Sequence, residues 1–258
     1  MFFEMNFYSK ELRKNTQVYV LLPRFDGEKK EKCKTLWLYH GLSGDHTSWM
    51  RNTSIERYAA KYGIAVVMPN VDRSRYTDTA YDANYFSFVA KELPALCHNT
   101  FQQMSEKRED NIVAGISMGG YGAMKVALSC PEQYERCISL SGSMDITRKG
   151  REYPLHEWKA IFDFEMESAD ELEGSRHDLF ALASGIKNAG RICPDIYMWC
   201  GTEDHLIGVN RLFDKHLTEL DIPHTFKVSE GDHKWNWWDL HIQDALEWAL
   251  NHEPLLPR

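Results

Sequence analysis

Several absences narrow the field before any motif is considered. The chain holds no run of about 20 apolar residues, the length a helix needs to cross a bilayer, so no membrane role is expected. Residues 1–10 lack the basic start and roughly 7–15-residue apolar stretch of a secretory leader, which points to a cytoplasmic protein. The six cysteines form no CxxC pair, so the closely spaced thiolates of a structural zinc site are missing. Cationic residues are in deficit, 30 Lys and Arg against 38 Asp and Glu, for a net charge of −8. A nucleic-acid partner would call for a basic face, and none is expected. There are no internal repeats and no low-complexity segment.

What is present is an alternation. Short apolar runs at 17–23 (QVYVLLP), 35–39 (TLWLY), 64–68 (IAVVM), 111–115 (NIVAG), 137–140 (CISL), 195–200 (DIYMWC) and 225–229 (TFKVS) read as strands. Several are apolar throughout rather than at every second position, as in parallel strands covered on both faces. Helical patterns lie between them, clearest at 81–97, 119–130, 208–220 and 237–252. The βαβα order predicts one α/β domain of 258 residues, with a mostly parallel sheet and helices on both faces. Residues 2–10 are a candidate antiparallel edge strand. The stretch 143–189 is too long for a simple connection and mixes polar residues with Trp158, Phe162 and Phe164. It is either a small cap over a site or a set of surface helices.

Gly115-Ile116-Ser117-Met118-Gly119 fits G-x-S-x-G between a strand and a helix. That setting matters more than the five letters. A turn tight enough to lift Ser117 above the sheet brings the residues two positions either side into collision, and glycine removes the clash. The helix N-terminus then favours negative charge developing beside the serine.

A serine needs a base to take its proton, and the base needs an acid to orient it. In this fold the order along the chain is Ser, acid, His. His233 follows the last strand candidate and is free to swing back toward Ser117. His216 and His241 lie on helical patterns, and His224 precedes its strand. Asp204 follows the strand at 195–200 and is the candidate acid, with Glu203 beside it as the alternative; Asp232 is too near His233 in sequence. The oxyanion donors are expected at the backbone N–H of Met118 and of Leu42, with Gly41 as the alternative to Leu42. His40 is read as a brace for that glycine-rich loop rather than a second base.

Five segments in this order, HGLSGDHTSW (40–49), VVMPN (66–70), GISMGGYGAMK (115–125), WCGTED (199–204) and GDHKWNWW (231–238), resemble the esterase D/tributyrin esterase family. The likeness runs from about Met5 to Trp248. That family is related to S-formylglutathione hydrolases and feruloyl esterases. The resemblance implies an α/β-hydrolase fold, a triad of Ser117, Asp204 and His233, an oxyanion hole at Leu42 and Met118, and hydrolysis of short-acyl esters without cofactor or metal. It implies a small-molecule ester as partner and is compatible with a homo-oligomer. Feruloyl or acetyl-xylan esterase, S-formylglutathione hydrolase, acyl transfer to an alcohol, and an inactive scaffold used for binding stay open beside it. Trp49, Tyr85 and Trp235 are candidate substrate contacts. Trp237 and Trp238 open the last helix, and one of them is expected to pack inward.

Overall fold

The structure, a computed structural model, describes residues 1–24 and 32–251. Eight strands form one sheet: β1 (Phe2–Ser9), β2 (Lys14–Leu21), β3 (Thr35–Tyr39), β4 (Ala65–Pro69), β5 (Asn111–Ile116), β6 (Arg136–Leu140), β7 (Asp195–Gly201) and β8 (His224–Ser229). They lie in the order β1-β2-β4-β3-β5-β6-β7-β8. The first two pairings are antiparallel and the rest are parallel. Residues 2–9 therefore supply the expected antiparallel edge. β3 to β7 are buried along their whole length, which is why their sequences show no polar alternation. β1, with one neighbour and an open face, does alternate near its end.

Helices cover both faces. On one face α1 (Ser48–Asn52), α2 (Ile55–Tyr62) and α10 (Trp235–Asn251) bury Trp49, Ile55, Trp238 and Ile242 against Leu36, Val66, Ile116 and Trp199. On the other face are α3 (Tyr85–Ser87), α4 (Leu93–Thr100), α5 (Met118–Ser129), α6 (Ile146–Arg151), α7 (Leu155–Ile161), α8 (Leu179–Asn188) and α9 (Ile207–Glu219), around a core that includes Trp37, Val113, Tyr121 and Phe213. The helix expected over 81–97 begins only at Tyr85, because Asp82 turns the chain at φ 69°. It then passes through one π turn, Phe88–Glu92, just before Pro94. Pro94 has no N–H to give to the preceding turn, and the widened turn absorbs that loss. The last helix opens at Trp235 rather than 237; His252, where the sequence pattern ended it, lies outside the described residues.

The stretch 143–189 folds as α6, α7, a 3₁₀ turn (Ala169–Leu172) and α8. Trp158, Met166, Leu172 and Leu179 sink into the main core, while Ser143, Lys149 and Tyr153 reach a cavity at the carboxyl edge of the sheet. Among the described residues no helix is long and apolar enough to cross a membrane.

The strand order reverses between β3 and β5, and a crevice forms at the carboxyl ends there. Two glycines let the backbones close up. A Cβ on Gly115 would lie 2.3 Å from the Gly119 carbonyl oxygen, and one on Gly119 would lie 2.5 Å from Tyr39 O and 2.6 Å from His40 O. Backbone cannot move aside as a side chain can. Gly119→Ala is therefore expected to lower Tm by at least about 2 °C, given an overpacking cost of roughly 1–3 kcal/mol or more. Gly185→Ala, inside α8 with open space around its Cβ, is expected to keep Tm or raise it slightly. Calorimetry on both variants checks the contrast; a Gly119→Ala protein as stable as the parent would refute it.

Candidate active site

Ser117 sits between β5 and α5 at φ 53° and ψ −115°, a conformation that an L-residue adopts at a cost of roughly 1–3 kcal/mol. Its backbone is pinned on both sides. Its N–H donates to Leu140 O at 3.0 Å, and its carbonyl accepts from Tyr121 N and Ser143 N, each at 3.1 Å. The hydroxyl is thereby held out at the sheet edge.

His233, in the loop after β8, brings Nε2 to 3.0 Å from Ser117 Oγ. Its Nδ1 lies 2.8 Å from Asp204 Oδ2. Asp204 is 1% exposed, in the loop after β7, and its other oxygen accepts the Leu206 N–H at 2.8 Å. Burial pushes the carboxyl pKa up, but the hydrogen bond and charge of His233 and the Leu206 N–H outweigh it, holding Asp204 below its ordinary 3.8. An ionised Asp204 accepts from Nδ1–H, which leaves Nε2 free to take the serine proton. The alternatives at the acid position turn elsewhere. Glu203 accepts from Gly231 N at 2.8 Å and Thr202 Oγ1 at 2.7 Å, and Asp232 pairs with Lys234. His216 bonds Phe180 O, His224 bonds Asp214, and His241 stacks on Trp199.

The glycine-rich loop after β3 lies against the serine: a Cβ on Gly41 would be 3.6 Å from Ser117 Cβ. Leu42 lines the cavity, while Met118 is the first residue of α5 with its side chain buried. His40 spans this loop and the one after β4. Its Nε2 lies 3.1 Å from the Val71 N–H, which can only donate, so the ring proton is on Nδ1, 2.7 Å from Gly41 O. Burial lowers its pKa and keeps the ring neutral.

The cavity above Ser117 is about 450 Å³. Trp235 lines it, and Trp238 lines it while donating to Ser141 Oγ at 3.1 Å, with its ring edge-on to His233. Trp238 is the inward-packing member of the Trp237–Trp238 pair. Two expected contacts are corrected here. Trp49 is 1% exposed beneath Trp235, its Nε1 donating to Tyr39 O. Tyr85 is 2% exposed and donates to Asp72 Oδ2 at 2.5 Å. Neither lines the cavity; an aromatic close in sequence to a motif loop is as easily drawn beneath it, where more apolar area is buried. Conversely, Arg75, Ser143, Lys149, Tyr153 and His205 line the cavity and carried no sequence signal of their own. Position was the one available clue, since Arg75 and Ser143 follow the carboxyl ends of β4 and β6.

Asp204, His205 and His233 bring ligand-type atoms within 4.8 Å of one another, the one such group of three among the described residues. Two of these atoms already share the Asp204–His233 hydrogen bond.

A serine hydrogen-bonded to an imidazole at the carboxyl edge of a parallel sheet is equipment for acyl transfer, and by fold and site this protein is a serine hydrolase of the α/β-hydrolase class. It belongs to the esterase family described as "Putative esterase", matched over residues 9–249, and is a serine carboxylesterase acting on a small-molecule ester. Among known proteins it is similar to an acetyl esterase of Caldicellulosiruptor saccharolyticus, 32% identical, with 95% of this chain and 96% of that one covered. An S-formylglutathione hydrolase of Paracoccus denitrificans (strain Pd 1222) is 26% identical over 84% of this chain and 82% of that protein. The solved structure of the Staphylococcus aureus fluorophosphonate-binding serine hydrolase F superposes with a TM-score of 0.90 at 33% identity, covering 97% of this chain and 98% of the other.

A second network holds the loop after β4. Lys125, on α5 and 2% exposed, donates to Tyr76 O, to Thr77 Oγ1 at 2.7 Å and to His177 Nδ1 at 3.0 Å. Burial and the neighbouring Lys125 and Arg176 charges push the His177 pKa down to about 2. A histidine depressed in the folded state contributes stability in full above its unfolded value near 6.5, and loses it as pH falls toward the folded value. Tm is therefore expected to drop from pH 7 to pH 5, with His177 contributing a slope of up to about 1.4 kcal/mol per pH unit. In His177→Gln, which keeps an acceptor for Lys125, that slope should be shallower. Thermal melts across the range decide it; an unchanged slope would refute the assignment.

Proposed function

We propose that the protein hydrolyses esters of short acyl chains through an acyl-enzyme on Ser117. Ser117 Oγ attacks the ester carbonyl carbon while His233 Nε2 takes its proton, and Asp204 holds the imidazolium in place. The backbone N–H groups of Leu42 and Met118 receive the oxyanion. The tetrahedral species collapses, His233 passes its proton to the departing alcohol oxygen, and water repeats the sequence to free the acid. The observation that carries this reading is the continuous Ser117–His233–Asp204 hydrogen-bond chain.

Short acyl chains are favoured by the cavity wall. Each buried methylene contributes about 0.8 kcal/mol only where it meets apolar surface. Here Asn52, Ser43, Ser48, Ser143, Lys149 and Arg75 occupy much of the lining. The likeness to an acetyl esterase over nearly the whole chain supports the same choice. The likeness to an S-formylglutathione hydrolase keeps a formyl thioester as the second reading. The reading places the enzyme in the cytoplasm, where its six free cysteines would stay reduced. A homo-oligomer is part of the same reading, and light scattering in solution tests it.

Ser117→Ala should lose at least about 10³-fold in kcat, and Asp204→Asn about 10³–10⁴-fold, because an amide permits the wrong imidazole tautomer. Active-site labelling by a fluorophosphonate should vanish in the first variant alone. Across p-nitrophenyl esters, kcat/KM should peak between acetate and butyrate and fall at least tenfold by octanoate. Turnover that rises to octanoate, or methyl ferulate cleaved faster than the acetate, would overturn the short-chain assignment; a formyl thioester preferred over both would select the second reading.

A further inference from the structure

The wall of the cavity contains a cation with no counter-ion among the described residues. Arg75 is 3% exposed, yet it lines the same cavity as Ser117. Its guanidinium lies 5.0 Å from the ring centroids of both Tyr153 and Trp158. Its Nε has no hydrogen-bond partner among the described residues. Among the described residues no carboxylate oxygen pairs with it, and no Asp or Glu lines the cavity, although the chain as a whole carries a charge of −8. Lys149, the other Lys or Arg side chain in the wall, is already paired with Glu152 at 2.8 Å.

The fold works to hold this arginine where it is. Arg75 and Tyr76 are successive non-glycine residues at positive φ, 54° and 50°. Each is strained and persists only when its surroundings fix it. They do so here. Tyr76 stacks on Tyr39 and donates to His40 O at 3.0 Å, Lys125 Nζ binds the Tyr76 carbonyl, and Gly122 leaves room for the Tyr76 ring, which a Cβ there would meet at 2.3 Å. A buried, unpaired charge is destabilising, so a strained loop that keeps one facing a cavity is preparing a partner for a ligand. A guanidinium is suited to a planar carboxylate, which it binds through two parallel N–H donors.

Strand order says which half of the ester meets it. Asp204 and His233 come from loops after β7 and β8, on one side of β5. Arg75 comes from the loop after β4, on the other side, beyond β3. The leaving oxygen must face His233, so the acyl half extends toward Arg75.

We propose that Arg75 determines acyl specificity, and that the preferred substrates are half-esters of short dicarboxylic acids, whose free carboxylate pairs with its guanidinium. This rests on the esterase reading above and narrows its substrate class. The test compares monomethyl glutarate with methyl valerate, equal in acyl carbon number and differing in the terminal charge, by methanol release. In the wild-type enzyme kcat/KM should favour the half-ester at least tenfold. The ratio should fall below one in Arg75→Met and recover in part in Arg75→Lys, and glutarate should compete with p-nitrophenyl acetate more strongly than glutaramide does. A parallel arm places the carboxylate on the alcohol, with acetoxyacetate against ethyl acetate, where no preference is expected. A wild-type enzyme that prefers methyl valerate, or that favours the charge only on the alcohol, overturns the proposal, and neither result needs a variant that folds. Half-esters and neutral esters both left uncleaved, or both cleaved equally by Ser117→Ala, would instead sink the esterase reading itself.

Discussion

The backbone crowding at the start of α5 is the constraint on which the rest of the site depends. Gly115, Ser117 and Gly119 turn the chain from β5 into the helix within a space where no Cβ fits at either glycine. The same closeness brings α5 against the carbonyls of Tyr39 and His40, so the loop after β3 and the serine turn are set by one contact. The strained φ of Ser117 is tolerated because hydrogen bonds to Leu140, Tyr121 and Ser143 fix it from three directions. The serine hydroxyl, the first N–H of α5 and the glycine-rich loop thus converge through packing of main chain on main chain, which leaves little freedom to drift.

Electrostatics then act on a prepared geometry. Asp204 is removed from water, and its cost of burial is offset by His233 and the Leu206 N–H, so that it stays ionised. His40 and His177 are the opposite case: burial keeps both neutral, and each uses a ring nitrogen as an acceptor that holds a loop. His233 is thus set against a buried carboxylate, whereas His40 and His177 bond no carboxylate among the described residues and hold loops. The difference lies in what each ring faces, since the residue type is the same.

The loop after β4 joins these two themes. Its carbonyls and rings are tied to His40, Lys125 and Tyr39, all close to the serine turn, and its strained residues present Arg75 to the cavity. The segment between β6 and β7 completes the wall from the far side with Tyr153 and Lys149, while its Trp158 sinks beneath them into the core. The acyl side of the cavity is therefore lined by two segments that supply no side chain to the serine–histidine–aspartate chain.

By itself the sequence determined the sheet, its parallel centre, and the three residues that meet at its carboxyl edge. Strands buried on both faces must be apolar at every position, and a sharp strand-to-helix turn must carry glycine at fixed spacing, so both leave a local record. Asp204 and His233 were legible because each follows a strand of known direction. Trp49 and Tyr85 lie beneath their loops while Arg75 and Tyr153 line the cavity, and nothing in a side chain's own sequence neighbourhood says which of the two it will do. That is decided by contacts between residues tens of positions apart, such as Arg75 against Tyr153 and Trp158 or Lys125 against Thr77, and only the tertiary structure brings them together.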